Sequence, residues 1–196
     1  TTPVSLIFHG IKQLNASLTM GNYFFKDIKE EGIVLYDSEK FKLAQPKKLT
    51  PEQYRQKAQD HFDQWFENGN NALTKFEFSF QKGILNEAAF DLHQATERYY
   101  TTILLVFTDY RPKDHNLETL GIKVDMCDPR FAVFPKTTDE EKHRFELLKR
   151  AYIDARYKMD EYQITKGELD YLAERVKELK ELTEKICGER IREVRK

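Results

Sequence analysis

The sequence predicts a mainly α-helical protein: an up-down bundle of four long helices plus a short one, with a small αβ appendage at the N-terminus. After residue 48, apolar residues recur at three- and four-residue steps, the spacing of an amphipathic helix. The connections between these segments are short, which favours antiparallel neighbours. Before residue 48 the pattern is mixed and contains short runs of branched and aromatic residues.

The composition indicates a folded protein without a strong overall field. The 196 residues suit one ordinary domain, or one compact domain plus a partial second one. Apolar residues (40%) can build a core, and charged residues (33%) can cover it. A formal net charge of -1 argues against sequence-independent binding to duplex DNA through a global basic surface.

The cysteines and the N-terminus predict a cytoplasmic protein. Cys127 and Cys187 lie in unrelated contexts without metal-ligand spacing, so we expect two free thiols rather than a disulfide. The N-terminus lacks a basic leader, and no apolar stretch is long enough to span a membrane. The chain starts in strand-like sequence without Met, which indicates a trimmed fragment.

The first 48 residues read as αβ sequence. Residues 4–8, 33–36 and 41–43 have the branched and aromatic composition of short strands, and residues 11–29 have a helical pattern. This set is too small for a complete α/β domain. We therefore expect an appendage made of a few elements.

The bundle helices carry recognisable start and stop signals. Thr50, followed by proline and an acidic first turn, opens a helix that runs to about residue 81. The second long helix covers residues 86–108, and a shorter one starts after Asn116. The remaining segments predict a third long helix over residues 138–157 and a last helix that opens with the capping box of Thr165 and Glu168.

The sequence lacks the motifs of common phosphate and metal enzymes. No glycine-rich phosphate loop is present, and no Gly-Ser turn is followed by paired carboxylates. His93 and Glu97 lie four residues apart on one helix face, but no second pair matches them, so we expect a polar helix edge and no metal site. The basic residues 190–196 fit a solvated helix C-terminus. We predict no cofactor and no catalytic residue for this chain alone.

Three segments resemble the HEPN domain (higher eukaryotes and prokaryotes nucleotide-binding). Residues 88–98, with Gln-Ala-Thr-Glu-Arg, are similar to the second helix of that family. Residues 113–117 resemble the segment that follows it, and residues 151–157 resemble the family's Asp-Ala-Arg-Tyr signature. The order and spacing agree, so residues 49–196 are identified as a HEPN helical-bundle domain.

The preceding sequence resembles a second family. Residues 23–37 are similar to the closing helix and strand of a minimal nucleotidyltransferase, a family often joined to HEPN domains. The resemblance implies that residues 1–48 are a remnant of the C-terminal end of such a domain. It also implies a nucleotidyltransferase partner, in the same or a separate chain, and a homodimer.

HEPN ribonucleases pair an arginine with a histidine four to six positions later. The histidine moves the proton of a ribose 2′-hydroxyl, and the arginine stabilises the phosphorane. Arg156 fits the first role, but residues 160–162 are Asp, Glu and Tyr. Either His93 or His115 would have to replace the missing histidine in space, and we therefore expect binding rather than cleavage.

The resemblance implies a ligand groove between the second long helix and the segment of Arg156. Arg156 and Lys158 would bond phosphate, the arginine bidentately, and tyrosines would stack on a base. The alternative is structural: Asp154 and Arg156 form an ion pair, and Tyr157 is core. The candidate nucleotide- or RNA-binding residues are Arg156, Tyr157, Lys158, His93, Gln94, Glu97, Tyr100 and His115, with Tyr162 as a further stacking candidate.

The predicted role is that of a nucleotide- or RNA-binding, dimeric partner of a nucleotidyltransferase in a toxin–antitoxin-like system. One alternative is a metal-independent HEPN endoribonuclease. Another is a purely structural interaction scaffold, favoured by the aromatic excess of the first long helix.

Overall fold

Three long helices form the frame of the protein. The computed structural model describes residues 6–158 and 160–193, and the ranges below refer to those residues. Helix α3 spans Pro51–Gln81, α4 spans Leu85–Thr108 and α8 spans Lys166–Glu193. The mainly α-helical class is therefore confirmed, together with the start of α3, where Thr50 and Gln53 form a capping box.

Helix α4 is the centre of the bundle. It packs against α3 and α8, and its core side chains are fully buried because it is covered from several sides. These residues are Ala88, Ala89, Leu92, Ala95, Tyr99 and Ile103. The turn at Gly83, whose φ is +72°, reverses the chain between α3 and α4 and makes them antiparallel neighbours.

Shorter helices cover the remaining side of α4. Helix α5 (Leu117–Cys127) begins at Asn116, whose side chain caps the first turn. A 3₁₀ helix, Pro129–Phe131, leads to α6 (Asp139–Arg150), which opens with a capping box of Thr138 and Glu141. Both starts follow the predicted positions.

The predicted third long helix is wrong in its length. Helix α6 ends at Arg150, and a separate turn of helix, α7 (Asp154–Tyr157), follows. The amide of Arg156 bonds to the carbonyl of Ile153 and not to that of Tyr152. The Arg156 side chain bonds to the Tyr152 carbonyl instead, and so satisfies the acceptor that the break releases.

The N-terminal region is helical where an αβ appendage was expected. Two helices, α1 (Ile11–Thr19) and α2 (Tyr23–Glu31), replace the single predicted helix. They are separated at Gly21, which has a φ of +73° and contacts Leu49 so closely that a Cβ atom would lie 2.7 Å from that side chain.

The strand predictions are wrong for the described residues. Residues 6–8, 33–36 and 41–43 contain no strand, and residues 4–5 of the first predicted strand lie outside the described part. A strand needs a neighbour that pairs with its N–H and C=O groups, and none of the described segments supplies one. Ile33, Val34, Leu35 and Tyr36 are instead exposed.

The N-terminal helices are anchored to the end of α4. The Tyr23 hydroxyl lies 3.2 Å from the carbonyl oxygens of Leu105 and Val106, and the Asn22 amide donates to the carbonyl of Asp109 at 2.9 Å. Asp109 ends α4 in the left-handed conformation. The bonds to Val106 and Asp109 satisfy carbonyls at the helix C-terminus, whereas the Leu105 carbonyl also accepts from the amide of Asp109.

Most of the aromatic excess of α3 is used inside the protein. Phe62 and Phe66 stack on each other with 4.8 Å between centroids and pack against the core. Phe76 is buried, whereas Phe78 is 61% exposed. Within the described residues, no helix has the length and apolar character needed to cross a bilayer.

Candidate functional site

Tyr152 lies at the centre of a cluster of aromatic and charged side chains. It occupies the break between α6 and α7, where its half-buried ring faces α4. The His115 ring stacks on it at 4.8 Å, and the His93 ring lies 5.2 Å from it. We call Phe90, His93, His115, Tyr152 and Arg156 the Tyr152 cluster.

Arg156 packs on two aromatic rings of this cluster. Its guanidinium carbon lies 4.2 Å from the centroid of Phe90 and 5.1 Å from that of Tyr152. Its Nε and Nη2 donate to the Tyr152 carbonyl at 3.0 and 2.5 Å. The alternative ion pair with Asp154 is not formed, because that carboxylate pairs with Arg150 and Lys158.

His93 is a buried, neutral imidazole. The residue is 1% exposed, and its Nδ1 donates to the Leu148 carbonyl at 2.9 Å. Burial lowers the pKa of His93, because the charged imidazolium would lose its hydration. Its Nε2 is buried and has no hydrogen-bond partner among the described residues. His93 therefore links α4 to α6 and supports the Tyr152 ring, but it does not meet solvent.

Glu97 and His115 form a pair that points outward. The Glu97 carboxylate, 3% exposed, accepts a hydrogen bond from His115 Nδ1 at 3.0 Å. The His115 side chain is 51% exposed. Because Nδ1 carries the proton that Glu97 accepts, the neutral ring leaves Nε2 free to accept a proton.

A cleft of about 460 Å³ opens beside this pair. We call it the His115 cleft; it is lined by Lys113, His115, Lys149, Arg150 and Tyr152, together with the carboxylates of Asp114, Glu146 and Asp154 and their neighbours. Lys149 and Arg150 are engaged by carboxylates, whereas Lys113 pairs with no carboxylate of the described residues. A phosphate entering this cleft would therefore meet Lys113 and His115 first.

The predicted site residues separate into three groups. His93, Glu97, His115, Arg156 and Tyr157 come together around Tyr152, and Tyr157, 74% exposed, lies with its ring 5.0 Å from the Arg156 guanidinium. His93 and Glu97 are buried, so they support Tyr152 and His115 and do not face solvent themselves.

Two further predicted residues lie at the margin. Gln94 accepts from Arg98 at 3.2 Å and faces a different cleft. Lys158 is exposed and lies 3.6 Å from Asp154.

The proposed stacking by Tyr100 and Tyr162 is wrong on geometric grounds. Tyr100 is 3% exposed and packs beside Gly121, and burial raises its pKa. Tyr162 is 1% exposed and donates its hydroxyl to the Leu147 carbonyl at 3.0 Å. Neither ring has a free face for a base.

Sequence reasoning missed the importance of Tyr152, Phe90 and Lys113. A usable signal was present, since Tyr152 precedes Arg156 by four residues, the spacing that brings side chains together on a helix. In the predicted third long helix, however, Tyr152 shares an apolar face with Leu148, which favours a core position. Among residues 6–158 and 160–193, no group of three or more His, Cys, Asp or Glu side chains could hold a metal ion. Both cysteines are free thiols.

The three sequence segments that resemble one family meet at this cluster. Residues 88–98 supply Phe90 and His93 from α4, residues 113–117 supply His115, and residues 151–157 supply Tyr152 and Arg156. The sequence profile of the HEPN domain matches residues 62–186, more than half of the chain. The chain belongs to the HEPN domain family. Membership supports a nucleotide- or RNA-related role, or one of the ribonuclease type, at the level of the family.

The HEPN match begins inside α3 and ends inside α8. The boundary expected near residue 48 and the nucleotidyltransferase remnant before it stay predictions. Among curated proteins, no sequence matches this chain.

Proposed function

We propose that this HEPN protein binds a nucleotide or RNA at the His115 cleft and acts as a dimeric partner of a nucleotidyltransferase, in a system of the toxin–antitoxin type. The observation that carries the binding role is the parallel stack of His115 on Tyr152 at the mouth of a cleft that contains Lys113. A base can stack on the exposed imidazole, and the ammonium can bond its phosphate.

Isothermal titration with AMP, ATP and a short single-stranded RNA tests this binding. We expect binding to the unmodified protein and roughly five- to 150-fold weaker binding for His115→Ala, since base stacking contributes about 1–3 kcal/mol. Arg156→Ala should also weaken binding by loosening Tyr152. Lys185→Ala, on the exposed side of α8, is the control. Absence of heat with all three ligands would contradict the proposal.

The Glu97–His115 pair favours a second candidate function, endoribonuclease activity. The carboxylate fixes the imidazole so that Nε2 can take the proton from a ribose 2′-hydroxyl. The 2′-oxygen would then attack the phosphorus, the bond from phosphorus to the 5′-oxygen would break as the cyclic phosphate forms, and the imidazolium would return its proton to that 5′-oxygen. Cleavage of single-stranded RNA that is lost in His115→Gln but kept in His143→Gln would support it. Intact RNA after prolonged incubation with pure protein would exclude it.

The exposed N-terminal segment supports the partner role. Leu35 is 94% exposed and Ile33 87%, an apolar surface that a partner domain would cover. Light scattering after size exclusion tests the homodimer, which a strict monomer at high concentration would contradict. Reading the gene upstream of and beside this segment for a Gly-Ser turn with paired carboxylates tests the nucleotidyltransferase. Their absence from both places would contradict that part of the proposal.

A further inference from the structure

Trp65, which is not part of the Tyr152 cluster, packs against two arginines, Arg98 and Arg111. The guanidinium carbon of Arg111 is 4.3 Å from the centroid of the Trp65 ring, and that of Arg98 is 5.4 Å from it. Arg111 is exposed. Guanidinium groups and indole rings are the flat surfaces on which unpaired bases stack in proteins that bind single strands.

A polar cleft of about 430 Å³ lies beside this tryptophan, and we call it the Trp65 cleft. Amide and cationic groups dominate its lining, which includes Gln64, Asn68, Asn71, Lys75, Gln94 and Arg98. Carboxamides can bond base edges, and the cations can bond phosphate. The one carboxylate in the lining, Asp91, already accepts a hydrogen bond from Ser79 at 3.2 Å.

A third, smaller cleft connects this region to the His115 cleft. It has a volume of about 270 Å³ and is lined by Glu97, Thr101, Arg111, Lys113 and His115, among others. It shares Lys113 and His115 with the His115 cleft, and its Arg111 contacts Trp65. The third cleft thus shares residues with the His115 cleft, and it adjoins the Trp65 cleft through the contact of Arg111 with Trp65.

Three of the cations along this path form no ion pair with a described residue, although Asp114 lies in both clefts that share His115. Lys75, Arg111 and Lys113 form no ion pair within the part of the chain that the structure describes. The contact of Arg98 with Glu97 is long, at 3.9 Å. Arg130, Arg150 and Lys149, by contrast, each pair with a carboxylate at 2.8 Å or less. Uncompensated cations spaced along a groove with aromatic rings fit a polyanion better than a single nucleotide.

We propose that the path from the His115 cleft past Arg111 to the Trp65 cleft binds one single-stranded nucleic acid. One base stacks on the exposed guanidinium of Arg111, which itself packs on Trp65, and successive phosphates meet Lys113, Arg98 and Lys75. The proposal rests on the proposed function in one respect, since it assumes that one end of the strand occupies the His115 cleft. The ligand is thereby an oligonucleotide rather than a mononucleotide.

Trp65 is the only tryptophan of the chain, so its fluorescence reports on this path directly. Titration with single-stranded RNA of two, four and eight nucleotides should quench the emission only with the longer strands. AMP should leave it unchanged. The octanucleotide should bind at least about tenfold more weakly to Arg111→Glu than to the unmodified protein. Its affinity for the unmodified protein should also fall as the salt concentration rises. Lys185→Glu, outside the three clefts, controls for the change of charge.

Further ligands and variants separate the outcomes. Single-stranded DNA of equal length shows whether the sugar matters, and duplex RNA bound as tightly as the single strand would overturn the proposal. Trp65→Phe should retain octanucleotide binding by calorimetry, and Trp65→Ala should lose most of it.

An octanucleotide that binds without quenching and without sensitivity to Arg111→Glu would refute the path but leave the His115 site. Quenching with no binding of AMP or ATP would refute the mononucleotide site and leave the path. No binding of any strand would overturn the path.

Discussion

The rings of His115 and Tyr152 lie parallel, with 4.8 Å between their centroids and 12° between their planes. The contact joins the link between α4 and α5 to the turn between α6 and α7. Neither segment is held there by a helix of its own, so the stacked pair fixes both relative to α4.

The Tyr152 ring should matter more than its hydroxyl, which has no hydrogen-bond partner among the described residues. We expect the free energy of unfolding of Tyr152→Phe to lie within about 0.5 kcal/mol of that of the unmodified protein, because the ring contacts are kept. Tyr152→Leu should lose about 2–3 kcal/mol, together with ligand binding. Urea unfolding and calorimetric titration measure the two effects. Equal behaviour of the two variants would contradict the role of the ring.

The buried His93 should make the protein less stable in mild acid. Its pKa is lowered in the folded protein by burial, whereas an unfolded histidine titrates near about 6.5. Below about pH 6.5 the unfolded chain binds a proton at this histidine, whereas the folded protein does not. The free energy of unfolding is therefore highest above that pH and falls as the pH drops towards the folded pKa.

Denaturant unfolding between pH 8 and pH 5 checks this sign. The free energy of unfolding should fall with pH by at most about 1.4 kcal/mol per unit from this group, and His93→Gln should flatten that fall. His143, with a side chain 62% exposed, is the matched control through His143→Gln. A pH profile unchanged by His93→Gln would count against the buried neutral imidazole.

Gly69 should tolerate no side chain. A Cβ at this position in α3 would lie 2.5 Å from Cε1 of the buried Tyr99 ring, which cannot move away because its hydroxyl donates to Asn70 at 2.9 Å. Gly69→Ala should cost about 1–3 kcal/mol by overpacking. Gly167→Ala in α8 meets nothing within 4 Å and should be neutral or stabilise by up to about 1 kcal/mol. Thermal unfolding of both compares them; a stabilising Gly69→Ala would refute the close packing.

The Tyr23 hydroxyl should hold the N-terminal helices on the bundle. It donates to the carbonyls at the end of α4, and burial raises its pKa. Tyr23→Phe should cost about 1 kcal/mol and speed amide hydrogen exchange in α2 while the middle of α4 stays protected. Tyr36→Phe, 85% exposed, should change neither. Unaltered amide hydrogen exchange in α2 after Tyr23→Phe would show that contacts other than the Tyr23 hydroxyl hold this helix on the bundle.

Local sequence signals predicted the bundle well where a helix start depends on its own residues. The caps at Thr50, Asn116 and Thr138 are formed by side chains within a few residues of the helix they open. The strands failed because pairing needs a distant partner, which no local pattern encodes. The break after Arg150 was missed because neither glycine nor proline marks it, and the Arg156 side chain replaces the lost backbone bond.

For the candidate site, the order of three segments predicted which parts of the chain meet. It did not predict which side chains face the ligand. His93 is held inside by its bond to Leu148, and Glu97 is covered by its bond to His115; both contacts join residues far apart in sequence. Tyr100 has the same residue type as Tyr157, but only the packing of α5 against α4 shows that it is buried.

The two bonds from Arg156 to the Tyr152 carbonyl also fix the direction from which an anion can arrive. They occupy the side of the guanidinium formed by Nε and Nη2, and rings cover its plane. Only the far end, with Nη1 and the second Nη2 proton, remains open. The rotational freedom of this side chain is lost during folding, so an anion that bound at its open end would not have to order it.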